Sequence, residues 1–187
     1  MRRVIVENRC TSEDNVLFQD AVQGLCAGDF SRLEPLFDKD STDDHLRCRI
    51  IVWNENDLFA NAPRALEEAM TCACFLGRMD VAAYLIAQGV DASGGANTGL
   101  NSIHWAANRG QLEAVMLLIN CKVPFETRSR YGSTVLGTAV WSAINEPRAE
   151  HLCIIEELLK AGALLEGAGY PTGNEPVDEL LKRYGAA

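Results

Sequence analysis

The chain has 187 residues, of which 48% are hydrophobic and 23% are charged, and its net charge is −9. These values are typical of one soluble globular domain and exclude an intrinsically disordered chain, and the apolar runs are too short to cross a membrane. The acidic balance argues against a general nucleic-acid binder, because binding to phosphates requires clustered Lys and Arg.

Seven cysteines are scattered along the chain, and this odd number does not suit a disulfide framework. An apolar run near the amino terminus, from Val4 to Val6, is too short for the core of a secretory signal. Both observations favour a reducing compartment, so we expect a cytoplasmic protein.

Residues 14–38 are predicted to form two short helices joined by a tight turn. Apolar residues recur at helical spacing from Val16 to Leu25 and again from Phe30 to Phe37, and the pair Gly28-Asp29 interrupts the pattern. The first helix has one apolar face, which we expect to pack against the next part of the chain.

Residues 39–63 have the least regular pattern. A helical face would be formed by Leu46, Ile50 and Trp53, and an alternating strand by Cys48, Ile50 and Val52. Because an isolated strand has no edge to pair with among helices, we favour a helix ending near Asn54. Pro63 then suits the start of a helix over residues 64–76.

The rest of the chain repeats with a period of 33 residues, which separates Glu68, Asn101 and Thr134 and also Gly77 and Gly110. Three segments align at this period: EAMTCACFLGRMDVAAYLIAQGVDAS, NSIHWAANRGQLEAVMLLINCKVPFE and TVLGTAVWSAINEPRAEHLCIIEELLKAGALLE. Such a period is typical of a two-helix unit stacked into a solenoid. Each segment resembles the ankyrin unit, whose pattern is TPLHxAAxxGHxxVVxLLLxxGAD.

The resemblance implies an all-α solenoid of stacked helix-turn-helix repeats, with short β-hairpin finger turns and a cap at each end. It implies one domain over residues 1–187. The expected parts are an amino-terminal capping repeat at 14–38, an insertion at 39–63, repeats at 64–96, 97–129 and 130–166, and a carboxy-terminal cap at 167–187. Stacking completes the core, because no single unit can bury its own apolar face.

Two glycines, Gly99 and Gly132, match the finger turns, which need a positive φ. The first repeat has ALEEAM where a finger would be, so it is expected to lack one. Second helices are predicted at residues 80–87, 112–120 and 148–160. Gly89 and Gly162 would end two of them in the left-handed conformation, and Lys122 holds that position in the middle repeat.

The third repeat is seven residues longer than the first between its aligned Ala and Gly positions. The extra residues lie around Pro147, which suits the first turn of the following helix. We therefore expect the added length to extend the loop between the two helices. At the carboxy terminus, an apolar face from Val177 to Tyr184 predicts a final short helix.

No catalytic residue, metal site or cofactor is expected. The resemblance implies that His104 makes a structural hydrogen bond between helix and turn. Cys72 and Cys74 are two residues apart on a helix, so their side chains diverge and cannot hold one metal ion. The acidic pairs are predicted to be solvated rather than catalytic: Asp43-Asp44, Glu67-Glu68 and Glu156-Glu157.

The resemblance also implies a non-enzymatic module that binds an unidentified protein partner, as a monomer, without nucleic acid or membrane. Twelve freely varying positions are the expected partner-binding residues: Phe75, Leu76, Asn97, Thr98, Leu100, Asn108, Arg109, Arg130, Tyr131, Ser133, Trp141 and Ser142. Arg, Tyr and Trp in this set have the composition of an interface hot spot. In a competing interpretation, Phe75 and Trp141 only pack beneath the insertion and the lengthened loop.

Two other functions stay open at this point. An enzyme or small-molecule binder would have a pocket under the insertion at 39–63, which carries His45, Trp53 and Phe59. An acidic decoy would mimic nucleic acid and occupy a basic partner.

Overall fold

The computed structural model describes residues 12–39 and 47–187, and within these ranges the chain forms ten α-helices and no β-strand. In order they are α1 (Ser12–Ala27), α2 (Phe30–Leu33), α3 (Arg49–Glu55), α4 (Pro63–Leu76), α5 (Met79–Ala87), α6 (Ser102–Asn108), α7 (Leu112–Asn120), α8 (Val135–Asn145), α9 (His151–Lys160) and α10 (Glu175–Arg183). None of these helices has the length and apolar character needed to cross a membrane.

The helices form two layers that run side by side along the molecule. In the inner layer α1 packs on α4, α4 on α6, and α6 on α8. In the outer layer α5 packs on α7, α7 on α9, and α9 on α10. The core lies between the layers and contains fully buried side chains such as Leu85, Leu118 and Ile155. The predicted all-α solenoid is therefore confirmed.

The left-handed residues at the ends of the outer helices are as predicted. Gly89 has φ 82° after α5, and Gly162 has φ 98° after α9. Lys122 holds the same position after α7 with φ 59°. A side chain in this conformation costs about 1 kcal/mol relative to glycine, so Lys122 is a local weakness in an otherwise regular turn.

The prediction that the pair Glu67-Glu68 is solvated is wrong for Glu68. Asn101 and Thr134, one period and two periods later, cap the starts of α6 and α8 with their side chains. By contrast, α4 begins earlier, at Pro63, so Glu68 lies inside a helix and is buried. Its Oε1 accepts a hydrogen bond of 2.9 Å from the backbone N–H of Asn97. Burial raises the pKa of the Glu68 carboxyl.

The insertion contributes α3 and a following 3₁₀ turn, Leu58–Asn61, to the outer layer. Trp53 and Phe59 are buried and meet the ring of Phe18 edge to face, with centroid distances of 5.4 and 5.0 Å. The two aromatic rings of the insertion are thus part of the core instead of lining a pocket, and such pairs stabilise a core. His45 and the pair Asp43-Asp44 lie outside the described residues.

In the third repeat, the added length extends a helix as well as the loop. The inner helix α8 has 11 residues, whereas α6 has 7. The outer helix α9 begins at His151, so the predictions of a start at Arg148 and of Pro147 in its first turn are wrong. The segment Ala139 to Asn145 has no helix breaker, and α8 continues until Pro147 forces Glu146 out of the helical region, to φ −137° and ψ 58°.

The carboxy terminus ends in α10, which buries Val177, Leu180 and Leu181. The Asp178 carboxylate accepts hydrogen bonds from Thr172 N at 2.8 Å, Thr172 Oγ1 at 2.7 Å and Gly173 N at 3.2 Å. The hydroxyl and amide groups of Thr172 lower the pKa of this carboxyl, because they favour its charged form. Asp178 thus fixes the loop that precedes α10 against the start of that helix.

Candidate functional site

A groove of about 710 Å³ runs over the inner helix α8, and we call it the Trp141 groove. One side is a turn between repeats, and the far end is a loop from the carboxy-terminal part of the chain. Its lining residues are Leu100, Asn108, Ser129, Tyr131, Ser133, Gly137, Thr138, Val140, Trp141, Ile144, Asn145, Gly167, Ala168, Gly169, Pro171 and Thr172. Its volume lies within the range of about 300–1,000 Å³ that is usual for binding sites.

Large apolar side chains are exposed inside this groove. Tyr131 is 74% exposed, Trp141 is 52% exposed and Ile144 is 36% exposed. Single exposed apolar residues are normal on protein surfaces, but three in one groove indicate an interaction surface. The two aromatic residues were among the predicted partner-binding residues, and the structure brings them together.

The side of the groove is formed by the turn at residues 129–132, the Gly132 turn. Gly132 N donates to Ser129 O at 2.9 Å, and Gly132 has φ 81°. The preceding turn at residues 96–99, the Gly99 turn, has the same geometry, with Gly99 N donating to Ala96 O at 2.8 Å and φ 92° at Gly99. The predicted positive φ is therefore confirmed at both glycines.

Successive turns are joined to each other by hydrogen bonds. Arg130 N donates to Gly99 O at 2.9 Å, and the Arg130 guanidinium donates to Asn97 O at 3.2 Å. The predicted short β-hairpins are not seen as strands in the described residues, because each finger contributes only a turn and isolated bonds.

The end wall of the groove is the loop at residues 167–172. Gly137 of α8 lies directly beneath it, and a Cβ atom added to Gly137 would clash with the carbonyl oxygen of Gly167. Glycine at position 137 therefore allows the loop to approach the helix closely. Because Asp178 holds the other end of the loop at Thr172, the wall is preformed.

His104 connects repeats in the way that the resemblance implied. The ring is buried, its Nδ1 lies 2.6 Å from Asn101 Oδ1, and its Nε2 lies 3.2 Å from the carbonyl oxygen of Ser133, directly after the Gly132 turn. Burial lowers the pKa of His104. The role is structural, because the ring joins α6 to the next turn.

His151 has a similar role that the sequence did not reveal. Its Nδ1 accepts a hydrogen bond from Arg148 N at 3.1 Å, and its Nε2 donates to Asn108 O at 3.2 Å. These partners require the neutral ring, with the proton on Nε2. Burial lowers the pKa of His151. His151 is the first residue of an outer helix and faces the preceding repeat. This position is a signal that could have indicated a structural hydrogen bond between repeats.

Phe75 belongs to a ring cluster formed by side chains of α2, α4 and α6. Its centroid lies 5.5 Å from that of Phe30 and 5.1 Å from that of Trp105. The Arg109 guanidinium carbon lies 4.6 Å above the Phe75 ring, in a cation–π contact. Phe75 therefore packs within the protein on one face and is covered by Arg109 on another.

The twelve predicted partner-binding residues fall into three groups and one exception. Five line the Trp141 groove: Leu100, Asn108, Tyr131, Ser133 and Trp141. Three lie in the turns beside it: Asn97, Thr98 and Arg130. Three lie at the ends of α4 and α6: Phe75, Leu76 and Arg109.

The exception is Ser142, which is fully buried and receives a hydrogen bond from Asn108 Nδ2 at 2.9 Å. The prediction for Ser142 is wrong, since a buried side chain cannot contact a partner. It faces the preceding repeat because α8 continues as a regular helix, which turns this position inward. Other wall residues were missed, among them Ile144 and Pro171. Pro171 comes from a segment whose position over α8 depends on the path of the chain.

The cysteines do not form a reactive or metal-binding group in the described part of the chain. Cys72 and Cys74 are buried, and burial raises the pKa of both thiols, to about 12 for Cys74. Thiols that stay protonated are poor nucleophiles. No cluster of three or more His, Cys, Asp or Glu side chains suited to a metal ion occurs among residues 12–39 and 47–187.

A second cleft, of about 610 Å³, lies between α1 and the 3₁₀ turn of the insertion. Asn15, Gln19 and Asn56 are among its walls, but Trp53 is not. Phe59 is also absent from its lining. The aromatic residues that motivated a pocket under the insertion thus do not form one.

Comparison with known proteins identifies the repeat. A family model described as Ankyrin repeats (3 copies) matches residues 69–166, just over half of the chain. The matched range contains α5 to α9 and both glycine turns, so it includes most of the Trp141 groove. No curated protein matches the chain.

Proposed function

Because the chain belongs to the ankyrin-repeat family, whose repeats generally act as protein–protein interaction modules, we propose that it binds a partner protein through the Trp141 groove and the adjacent turns. The observation that carries this proposal is the exposure of Tyr131 and Trp141 in one preformed groove. Trp and Tyr are enriched among residues that dominate binding energy, because they bury a large area with few rotatable bonds.

The groove has the properties of a rigid binding surface. Its turns are joined by backbone hydrogen bonds, and its end wall is held by Asp178. A preformed surface loses little conformational entropy on binding, which favours affinity. Five of the twelve side chains that the resemblance implied would bind a partner line this groove, together with others such as Ile144 and Pro171 that only the fold brings near.

We propose that the module is not an enzyme, as is typical of ankyrin repeats. Both described histidines, His104 and His151, make hydrogen bonds between neighbouring repeats and so are engaged in the fold. The proposed location is the cytoplasm, which the six free thiols among the described cysteines support. The proposed oligomeric state is a monomer.

The proposal is tested by affinity capture from a lysate of the source organism. The test variant combines Tyr131→Ala with Trp141→Ala. Its matched control combines Leu152→Ala with Leu164→Ala, which removes two exposed apolar side chains that do not line the groove. A stoichiometric companion should be recovered with the parent and the control, and recovery with the test variant should fall about tenfold or more.

Equal recovery with all three proteins would contradict the proposal. Thermal unfolding of each variant provides the folding control. Because both test side chains are largely exposed, the melting temperatures should stay close to that of the parent.

A further inference from the structure

Charge is distributed unevenly along this acidic chain. Residues 96–148, which include both glycine turns, α6, α7 and α8, contain five basic and three acidic side chains, a net charge of +2. The remaining residues carry a net charge of −11, since the total is −9. The repeats that form most of the Trp141 groove are therefore locally basic.

The arginines of this segment differ in their partners from those of the amino-terminal units around residues 32–49 and 78. Arg32 and Arg78 form ion pairs with carboxylates of the amino-terminal units, as do Arg47 and Arg49. Among the described residues, no carboxylate oxygen lies within 4.0 Å of the arginines in the segment: Arg109, Arg128, Arg130 and Arg148. Arg128 and Arg130 donate only to backbone carbonyls, those of Gly132 and Asn97.

Two of these arginines, Arg128 and Arg130, are exposed at the turn that forms the side of the groove. Arg128 and Arg130 alternate along the chain with the lining residues Ser129 and Tyr131. Arg109 follows the lining residue Asn108.

The stem of Arg148 crosses Gly110, where an added Cβ would lie 3.1 Å from Arg148 Cβ. Burial, and then the charge of Arg148, lower the pKa of the Arg109 guanidinium, which places the two cations near each other. The Glu146 carboxylate raises the pKa of Arg109 in turn, so the charge of Arg109 is partly offset, and Arg128 and Arg130 are the exposed cations of the rim.

The interior of the groove is uncharged, because none of its sixteen lining residues carries a charge. A charged group placed there would lose its hydration without gaining a counter-charge, which is unfavourable. The interior therefore suits an apolar side chain, and the rim suits carboxylates that can accept from guanidinium groups.

We propose that the groove binds an acidic peptide segment of a partner protein, with one bulky apolar side chain seated between Tyr131 and Trp141 and flanking Asp or Glu residues at Arg128 and Arg130. This inference rests on the proposed function and specifies the class of partner. Recognition of acidic motifs by arginine clusters is an established binding mode.

A peptide fits these observations better than a nucleic acid. Binding to phosphate backbones depends on many clustered cations, and the chain as a whole is strongly anionic, so it repels a long polyanion. A short acidic segment meets only the local positive charge. A Leu, Phe or Trp side chain of the peptide would fit the apolar interior of the groove.

The test is selection from a random dodecapeptide phage library on the immobilised full-length protein. Enriched peptides should combine several Asp or Glu residues with one large apolar residue. The synthetic consensus peptide should bind the parent, and binding should weaken as salt rises, because the charge pairs lie at an exposed rim.

Two variants separate the two components of the site. Trp141→Ala should weaken binding of the consensus peptide about tenfold or more. Arg128→Glu combined with Arg130→Glu should weaken it by a similar factor and remove most of its salt dependence. The matched controls are Leu152→Ala and Arg183→Glu, which should bind as the parent does.

Enrichment of basic or neutral peptides, or of no peptide, would overturn the inference. So would binding of a single-stranded oligonucleotide that competes with the consensus peptide and is tighter than it. In each case the proposed function would stand if capture of the companion still depended on Tyr131 and Trp141. If capture did not depend on them, the proposed function itself would fail.

Discussion

His151 Nε2 lies 3.2 Å from the carbonyl oxygen of Asn108, so a side chain of the third repeat closes the end of an inner helix in the second. The other ring nitrogen accepts from Arg148 N within the loop that precedes α9. One buried imidazole thus fixes two backbone groups that belong to different repeats. In a solenoid, such contacts between neighbours carry much of the stability.

Replacing His151 by Ala should lower the free energy of unfolding by about 2–3 kcal/mol, because two buried backbone groups lose their partner and a cavity is left. Urea denaturation followed by circular dichroism measures this change. Leu152→Ala is the matched control in the next position, where the side chain is largely exposed, and it should change the unfolding free energy by less than about 0.5 kcal/mol. Equal effects of the two substitutions would contradict the role assigned to His151.

Stability should decrease as pH falls below about 6.5. The pKa values of His104 and His151 are lowered in the folded protein, so the unfolded chain takes up protons first, and the stability that both rings contribute at neutral pH is lost on acidification. Urea denaturation at pH 7.5 and pH 5.5 measures this loss. A higher unfolding free energy at pH 5.5 would contradict the assignment.

Glu68 has the opposite effect on the pH dependence of stability. The substitution Glu68→Gln isolates its contribution. Because the pKa of the Glu68 carboxyl is raised in the folded protein, the carboxyl penalises folding increasingly as pH rises above its unfolded pKa of about 4.5. The stability of the Gln variant relative to the parent should therefore increase between pH 4 and pH 7. A constant difference over this range would show that burial of Glu68 does not alter its titration.

Gly137→Ala should destabilise the protein and displace the end wall of the groove. The added methyl group would clash with the carbonyl of Gly167, and overpacking of this kind costs about 1–3 kcal/mol. Differential scanning calorimetry measures the loss of stability. Gly89→Ala is an instructive comparison, because nothing lies within 4 Å of its added Cβ and only its φ of 82° opposes the change.

Lys122→Gly should stabilise the protein by about 1 kcal/mol, because glycine adopts the left-handed conformation of this position without a steric cost. The measurement is again the free energy of unfolding in urea. Lys122→Ala is the control, since it removes the charge and keeps the Cβ atom. Stabilisation of both variants to the same extent would indicate an effect of charge rather than of backbone conformation.

The repeats were predictable because their signals are local. The spacing of Glu68, Asn101 and Thr134 revealed the period, and the fold follows from repeating one unit. The left-handed positions, including Lys122, were predictable because they stand at fixed places within that unit. A helix in the insertion was favoured for lack of a strand partner, and the structure has one at Arg49–Glu55.

The errors concern residues whose surroundings depend on contacts with a neighbouring repeat. Glu68 was expected to be solvated, and although the helix that contains it was predicted, its burial against the backbone of Asn97 was not. Ser142 was expected at the surface, but in the longer helix α8 it faces Asn108. The end wall of the groove was not predicted either, because the loop at 167–172 reaches α8 only through the path of the whole chain.

The loop at residues 167–172 also makes the two ends of the Trp141 groove different, because it closes only one of them. A peptide bound along the turns would be free to extend toward the amino-terminal repeats. In the other direction it would meet Gly167 to Thr172 and have to end or bend away. For a peptide bound as proposed, the loop at residues 167–172 would be a fixed end point that sets the register of the peptide in the groove. Adding residues to such a peptide at the open end of the groove should be tolerated. Adding even one residue at the closed end should change the register of all its contacts.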